Sequence, residues 1–308
     1  MQRYEGGPPV SLVSFNDLMA EAERGRYAVG YFESWDQESL LAVADAAEAA
    51  RSPVLLGFSG IYLLHPERRT TEHLGDYAAL GLEVCRRLAV PACLVFNESP
   101  HFEAVLEAAR LGFGLVMFTD ERLALEQQAE QVARVVEQAH RVRAAVEGEM
   151  TALPGVAGEL GRLPEDLHLS DPDAARRFVE RTGVDALAVN IGQAHLHGRR
   201  EVRLNLERLA ELHRAVAVPL VLHGASSVAR EDLEQAVASG IRKINVGSVL
   251  KRTYFETLRS ACLRVGKHYN PYEVVGSGLP ADVLTAARLA LQKTVEDLLG
   301  LIGSAGRG

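Results

Sequence analysis

The 308-residue sequence predicts a closed (β/α)8 TIM barrel with an extra N-terminal helix and a C-terminal helical arm, one domain spanning 1–308. Two observations carry that prediction. Short apolar runs recur eight times, each followed by a helical pattern, and eight strand–helix units in this length are what such a barrel needs. The runs are also continuously apolar rather than alternating, as expected of parallel strands covered on both faces. An open doubly wound sheet is the rival. It calls for a glycine-rich phosphate turn after the first strand, and "GYFESWD" is not one.

Taken in order, "VSFNDLMAEAERGR" reads as a helix before the first strand. The strands follow as "YAVGYF" (27–32), "PVLLGF" (53–58), "PACLVF" (91–96) and "GLVMFT" (114–119). Then come "AAVEGEM" (144–150), "ALAVNIG" (186–192), "PLVLHGAS" (219–226) and "KINVGS" (243–248). Amphipathic stretches such as "DQESLLAVADAAEAARS" and "REDLEQAVASGI" separate them, with Asp36, Asp120 and Ser170 read as helix N-caps. The arm is "NPYEVVGSGLPADVLTAARLALQKTVEDLLGLIG".

Composition narrows the function classes. Apolar residues at 47% supply a large core, and 24% charged residues mark a globular chain. A net charge of −8 argues against nucleic acid or an anionic membrane as partner, but leaves anionic small molecules open. No apolar run reaches membrane-span length and no signal-peptide core opens the chain, so the expected location is the cytoplasm. Cys85, Cys93 and Cys262 are odd in number and contain no CxxC, which fits reduced thiols.

Barrel chemistry sits at the carboxyl ends of the strands. Those positions carry Glu33, Ser59, Asn97, Glu98, Thr119, Asp120, Glu147 and Glu149, then Gln193, His195, His223, Gly224, Ser226, Asn245, Gly247 and Ser248. His195 and His223 end neighbouring strands, and Glu98 faces them across the mouth. Two imidazoles and a carboxylate can bind a divalent metal, zinc first and manganese or cobalt as alternatives, while leaving a position open. "HGASS" (223–227) and "NVGS" (245–248) read as phosphate cradles, because small residues let backbone N–H groups approach an oxyanion. Schiff-base chemistry needs a lysine in the mouth. Lys243, the one lysine on an expected strand, is read as lying at the opposite end.

With these residues in view, the chain resembles the class II, metal-dependent fructose-bisphosphate and tagatose-bisphosphate aldolases over nearly its whole length. The stretches "YAVGYF", "RTGVDALAVNIGQAHLHG" and "LVLHGASSVAREDLEQAVASGIRKINVGSVL" carry the resemblance. It implies metal ligation by His195 and His223, and phosphate contacts from Gly224, Ser226, Asn245, Gly247 and Ser248. Strand three departs from the family: "LDHG" is replaced by "FNES", so Asn97 stands for the general acid and Glu98 for a histidine ligand. Glu33 replaces an asparagine, and the arm's "DPR", which supplies an arginine for a distal phosphate, reads "NPY".

The resulting expectation is a divergent lyase. It would cleave or condense a phosphorylated ketose other than fructose 1,6-bisphosphate, with metal on His195, His223 and Glu98. Glu33, Asn97 and Glu149 would stand at the reacting centre, Glu33 as acid/base, with Glu159 a further acid from "TALPGVAGELGRLPED". A metal-dependent sugar-phosphate isomerase or epimerase, and a non-catalytic sugar-phosphate-binding paralogue, are the alternatives. The resemblance also implies a homodimer or homotetramer.

Overall fold

The computed structural model describes residues 11–150, 153, 169–194 and 201–308. Its eight parallel strands are β1 (Val29–Ser34), β2 (Val54–Ser59), β3 (Ala92–Ser99), β4 (Leu115–Phe118), β5 (Ala145–Glu149), β6 (Ala186–Ala188), β7 (Leu220–Leu222) and β8 (Ile241–Val246). They close in sequence order, with β8 pairing back onto β1, and helices alternate with them.

Two buried clusters explain the continuous hydrophobicity. Inward side chains such as Tyr31, Leu55, Val95, Leu115 and Val221 fill the barrel interior. The intervening residues, including Phe32, Leu56, Phe58, Leu94 and Phe96, point outward into the layer shared with the helices. Both faces of each strand are therefore apolar. The first helix, Phe15–Gly25, closes the bottom: Phe15, Leu18 and Met19 join the interior cluster, and Leu12 just before it bridges Ala92 at the start of β3. Among the described residues that plug fills the barrel at this end, away from the carboxyl ends of the strands.

The Asp36 cap forms as expected, its Oδ1 accepting from the Ser39 N–H at 2.8 Å at the start of helix Gln37–Ala50. Two expected caps are displaced by competing hydrogen bonds. Asp120 binds the Arg122 guanidinium instead, and Ala124 precedes helix Leu125–Arg141. Asp171 caps helix Pro172–Thr182, while the Ser170 hydroxyl accepts from the Asn190 N–H at 2.8 Å and ties that helix to the end of β6. In the arm, helix Val283–Leu301 buries Val283, Ala287, Leu291, Val295 and Leu299, an i,i+4 stripe lying against helices Gln37–Ala50 and Ser248–Arg264.

Candidate active site

Neighbouring residues of a regular strand point to opposite faces, so Asn97 and Glu98 could not both face the mouth. The structure solves this with backbone. The β3–β4 register shifts between Phe96 and Ser99, and Glu98 takes a left-handed φ of 45°. A bulge of this kind re-aims side chains, and both residues line one pocket. Positive φ is uncommon for a residue with a Cβ and costs free energy, which makes Glu98 a strained position at the site.

Across the mouth, His223 follows directly after β7. Its Nδ1 lies 3.1 Å from Glu98 Oε1 and its Nε2 lies 2.6 Å from Glu147 Oε1. The Lys243 ammonium holds the other Glu147 oxygen at 2.7 Å and donates to Asn245 Oδ1 at 2.6 Å. Asn245 Nδ2 donates to Asn97 Oδ1 at 3.3 Å, and Asn97 Nδ2 to Glu98 Oε2 at 3.0 Å. The chain of contacts returns to its starting carboxylate. The expected place of Lys243 is thereby corrected. Strand eight begins at Ile241, so Lys243 sits mid-strand, fully buried inside the barrel beneath the pocket rather than at the far end.

Burial and charge set the protonation states. Burial would raise Glu147, but Lys243 and His223 overcome it and hold its pKa near about 2. Burial would lower His223, yet its hydrogen bonds to Glu147 and Glu98 push it up to about 10. Burial lowers Lys243, opposed by Glu147. Glu149 lies one step up β5 on the same face. Burial raises it to about 7, with the His223 charge opposing, and Thr119 donates to its Oε2 at 3.1 Å.

The outer wall is built from β1 and β8. Glu33 Oε1 accepts from Lys251 Nζ at 2.6 Å, and Lys251 also lies 3.7 Å over the Tyr62 ring. Burial raises the Glu33 carboxyl, with Lys251 opposing. Glu33 crosses closely over the "NVGS" turn: a Cβ at Gly247 would meet Glu33 Oε2 at 2.5 Å, so any larger residue there would have to displace the Glu33 carboxylate. In "HGASS", Gly224 has φ +66° and starts the short turn Ala225–Ser227. The Ser226 hydroxyl then accepts from the Val249 N–H at 3.3 Å and joins the two turns.

Glu33, Asn97, Glu98, His223, Gly224, Ser226, Asn245, Gly247 and Ser248 therefore line one pocket. Glu149 does not. It lines a neighbouring cavity of ≈ 410 Å³ that meets the first at Glu98 and Tyr62. His195 and Glu159 lie outside the described residues. Sequence reasoning missed Lys251, Tyr62 and Tyr31 as site residues. Lys251 was within reach of a helical reading, three residues after Ser248 on helix Ser248–Arg264. Tyr31 was within reach of a strand reading, two before Glu33 on the same face.

Among the described residues no group of three His, Cys, Asp or Glu side chains forms a complete metal set. Part of one is present. Donors bound to one tetrahedral zinc at roughly 2.1 Å lie about 3.4 Å apart, near the 3.1 Å between His223 Nδ1 and Glu98 Oε1. A metal-bound histidine almost always gives its other N–H to a carboxylate, a backbone carbonyl or water, and Glu147 is placed to be that carboxylate. The residues fit a divalent cation on these two donors.

Comparison with known proteins agrees with the barrel fold. The family model described as "Fructose-bisphosphate aldolase class-II" matches residues 13–307. A fructose-bisphosphate aldolase of Thermus caldophilus is 30% identical, the alignment covering 96% of this chain and 99% of that one. The D-tagatose-1,6-bisphosphate aldolase subunit GatY of Klebsiella oxytoca is 29% identical over the same shares. Among solved structures, the YdjI aldolase from Escherichia coli K12 superimposes with a TM-score of 0.77 at 27% identity, covering 96% of this chain and 99% of that chain.

Proposed function

The chain belongs to the class II fructose-bisphosphate aldolase family, and from that premise we propose a metal-dependent aldolase for a ketose with one phosphate, whose aldehyde portion carries none. The observation that carries this reading is the contrast between two adjoining cavities. One is lined by the small-residue turns at Gly224, Ser226, Gly247 and Ser248, where backbone N–H groups and hydroxyls suit a phosphate. The other has Ile61, Tyr62, Pro66 and Pro100 as apolar walls and Glu98, Glu121 and Glu149 as acids. Among the described residues its one arginine, Arg122, is committed through Nε and Nη2 to Asp120 at 2.8 Å and 2.7 Å. Of the described lining, His65 and His101 are the other basic side chains, and a second phosphate there would face those acids.

His223 and Glu98, with His195 as third donor, would hold the metal, zinc in the first instance. When bound, the metal supplies Lewis-acid polarisation of the ketose carbonyl. Glu33 exchanges the proton of the hydroxyl that becomes the aldehyde oxygen, since the amide of Asn97 cannot. Asn97 and Asn245 fix the geometry of the Glu98–His223 pair. Glu149, neutral or charged around pH 7, faces the aldehyde side.

Among the described residues, Phe255 and Leu263 on helix Ser248–Arg264, Tyr269 after it, and Tyr272, Val275, Leu279 and Leu289 in the arm expose large apolar surface, which supports a homo-oligomer built on that side. No described helix is long and apolar enough to cross a membrane. The activity test is condensation of a three-carbon ketose phosphate with two sets of aldehydes. Unphosphorylated aldoses should give the higher kcat/KM. A preference for glyceraldehyde 3-phosphate would refute the assignment of the second cavity.

A further inference from the structure

The floor of the pocket holds a group that the reading above leaves unused. Tyr31 is 2% exposed, yet it lines the pocket together with Asn97, Glu98 and Glu33. Among the described residues its hydroxyl has no hydrogen-bond partner. Buried hydroxyls are almost always paired, because an unpaired one forfeits its bonds to water without replacement. Two serines, Ser34 and Ser59, share this orphan state, but neither lines the pocket. Packing alone would be served by phenylalanine, whose ring fills the same space without that penalty.

Its surroundings suit a donor. Tyr31 is the register partner of Asn245, whose amide donates to Asn97, and Tyr31 and Asn97, the residue in the acid's place in β3, line the same pocket. The ring also lies 5.2 Å from Lys243 Nζ. Burial, reinforced by the charges of Glu33, Glu98 and Glu147, raises the phenol well above its ordinary value. The hydroxyl therefore keeps its proton throughout the working pH range and donates.

We infer that Tyr31 is a catalytic residue whose hydroxyl donates a hydrogen bond to the aldehyde oxygen, in the role that Asn97 has vacated. As the new carbon–carbon bond forms, the aldehyde carbonyl oxygen gains negative charge. Tyr31 holds that oxygen while the Glu33 carboxyl transfers its proton to it and becomes carboxylate. In cleavage the hydroxyl proton passes to Glu33 and the carbonyl re-forms, still held by Tyr31. The phenol itself returns unchanged.

This role rests on the aldolase reading, and the test separates the two. Tyr31→Phe is compared with wild type as metal-loaded full chain. Three quantities are read: thermal midpoint, deuterium uptake from D2O into the ketose phosphate alone, and turnover with an aldehyde. Deuterium uptake reports removal of the carbon-bound proton without any aldehyde. The expected result is an unchanged or raised midpoint, uptake within threefold of wild type, and turnover lower by about 10²-fold, the scale for losing one donor at a developing oxyanion. Turnover within threefold of wild type, or uptake and turnover falling together, would overturn the role of Tyr31. Absence of uptake and turnover in wild type would overturn the lyase reading and this role with it.

Discussion

The two walls of the mouth are made by the same barrel but follow different rules. On the β7–β8 side the chain keeps small residues in tight turns, with Gly224 at positive φ and Gly247 pressed against Glu33. On the β1–β3 side it carries Glu33, Asn97 and Glu98, where the resemblance implies asparagine, aspartate and histidine. On the proposed reading the first wall holds a phosphate, while the second moves protons and holds metal and needs a bulge and a strained φ at Glu98 to present its side chains. The contrast on that reading is that the two halves of a barrel mouth can diverge separately, because backbone turns build one and side chains the other.

Substitution of each wall should break different kinetic quantities. Glu33→Gln removes the proton carrier, and kcat should fall on the order of 10²-fold with metal content unchanged. An equal loss of metal would move Glu33 into the metal site and erase the distinction between the walls. Glu149→Gln tests the electrostatics of the aldehyde side. Its pKa is raised to about 7 in the fold, so the native state takes up this proton before the unfolded state does. Its contribution is full below the ordinary glutamate value of 4.5 and is lost as pH rises through about 7. The two-and-a-half-unit span corresponds to about 3 kcal/mol, so metal-free wild type should lose stability over that window. The variant should not, and denaturant midpoints at several pH values would show it. Ser226→Ala removes one donor from the retained wall. KM for the phosphorylated ketose should rise about tenfold, the scale of one hydrogen bond to a charged group, with kcat nearly constant.

How far the sequence reveals this molecule depends on which feature is asked about. Eight continuous apolar runs suffice for the barrel, since a strand buried on both faces leaves that trace regardless of its exact ends. The strand ends also name most of the pocket, from Glu33 to Ser248. Lys243 is misplaced because its height in the barrel depends on where β8 starts, two residues earlier than the apolar run suggests. The bulge at Glu98 is a backbone event with no residue signature. Asp120 and Ser170 are good capping residues that found other partners: Asp120 the Arg122 guanidinium two residues on, a competitor a capping reading does not weigh, and Ser170 the Asn190 N–H, which lies beyond the reach of local propensity.

The central claim is that "FNES" rebuilds a metal site from a carboxylate. Elemental analysis of wild type and Glu98→Ala, purified side by side and reloaded with zinc, tests it most directly. The account predicts near-stoichiometric zinc in wild type and its loss in the variant. Zinc retained in the variant would remove Glu98 from the metal, and a wild type that takes up no zinc, manganese or cobalt would contradict the metal-dependent mechanism itself.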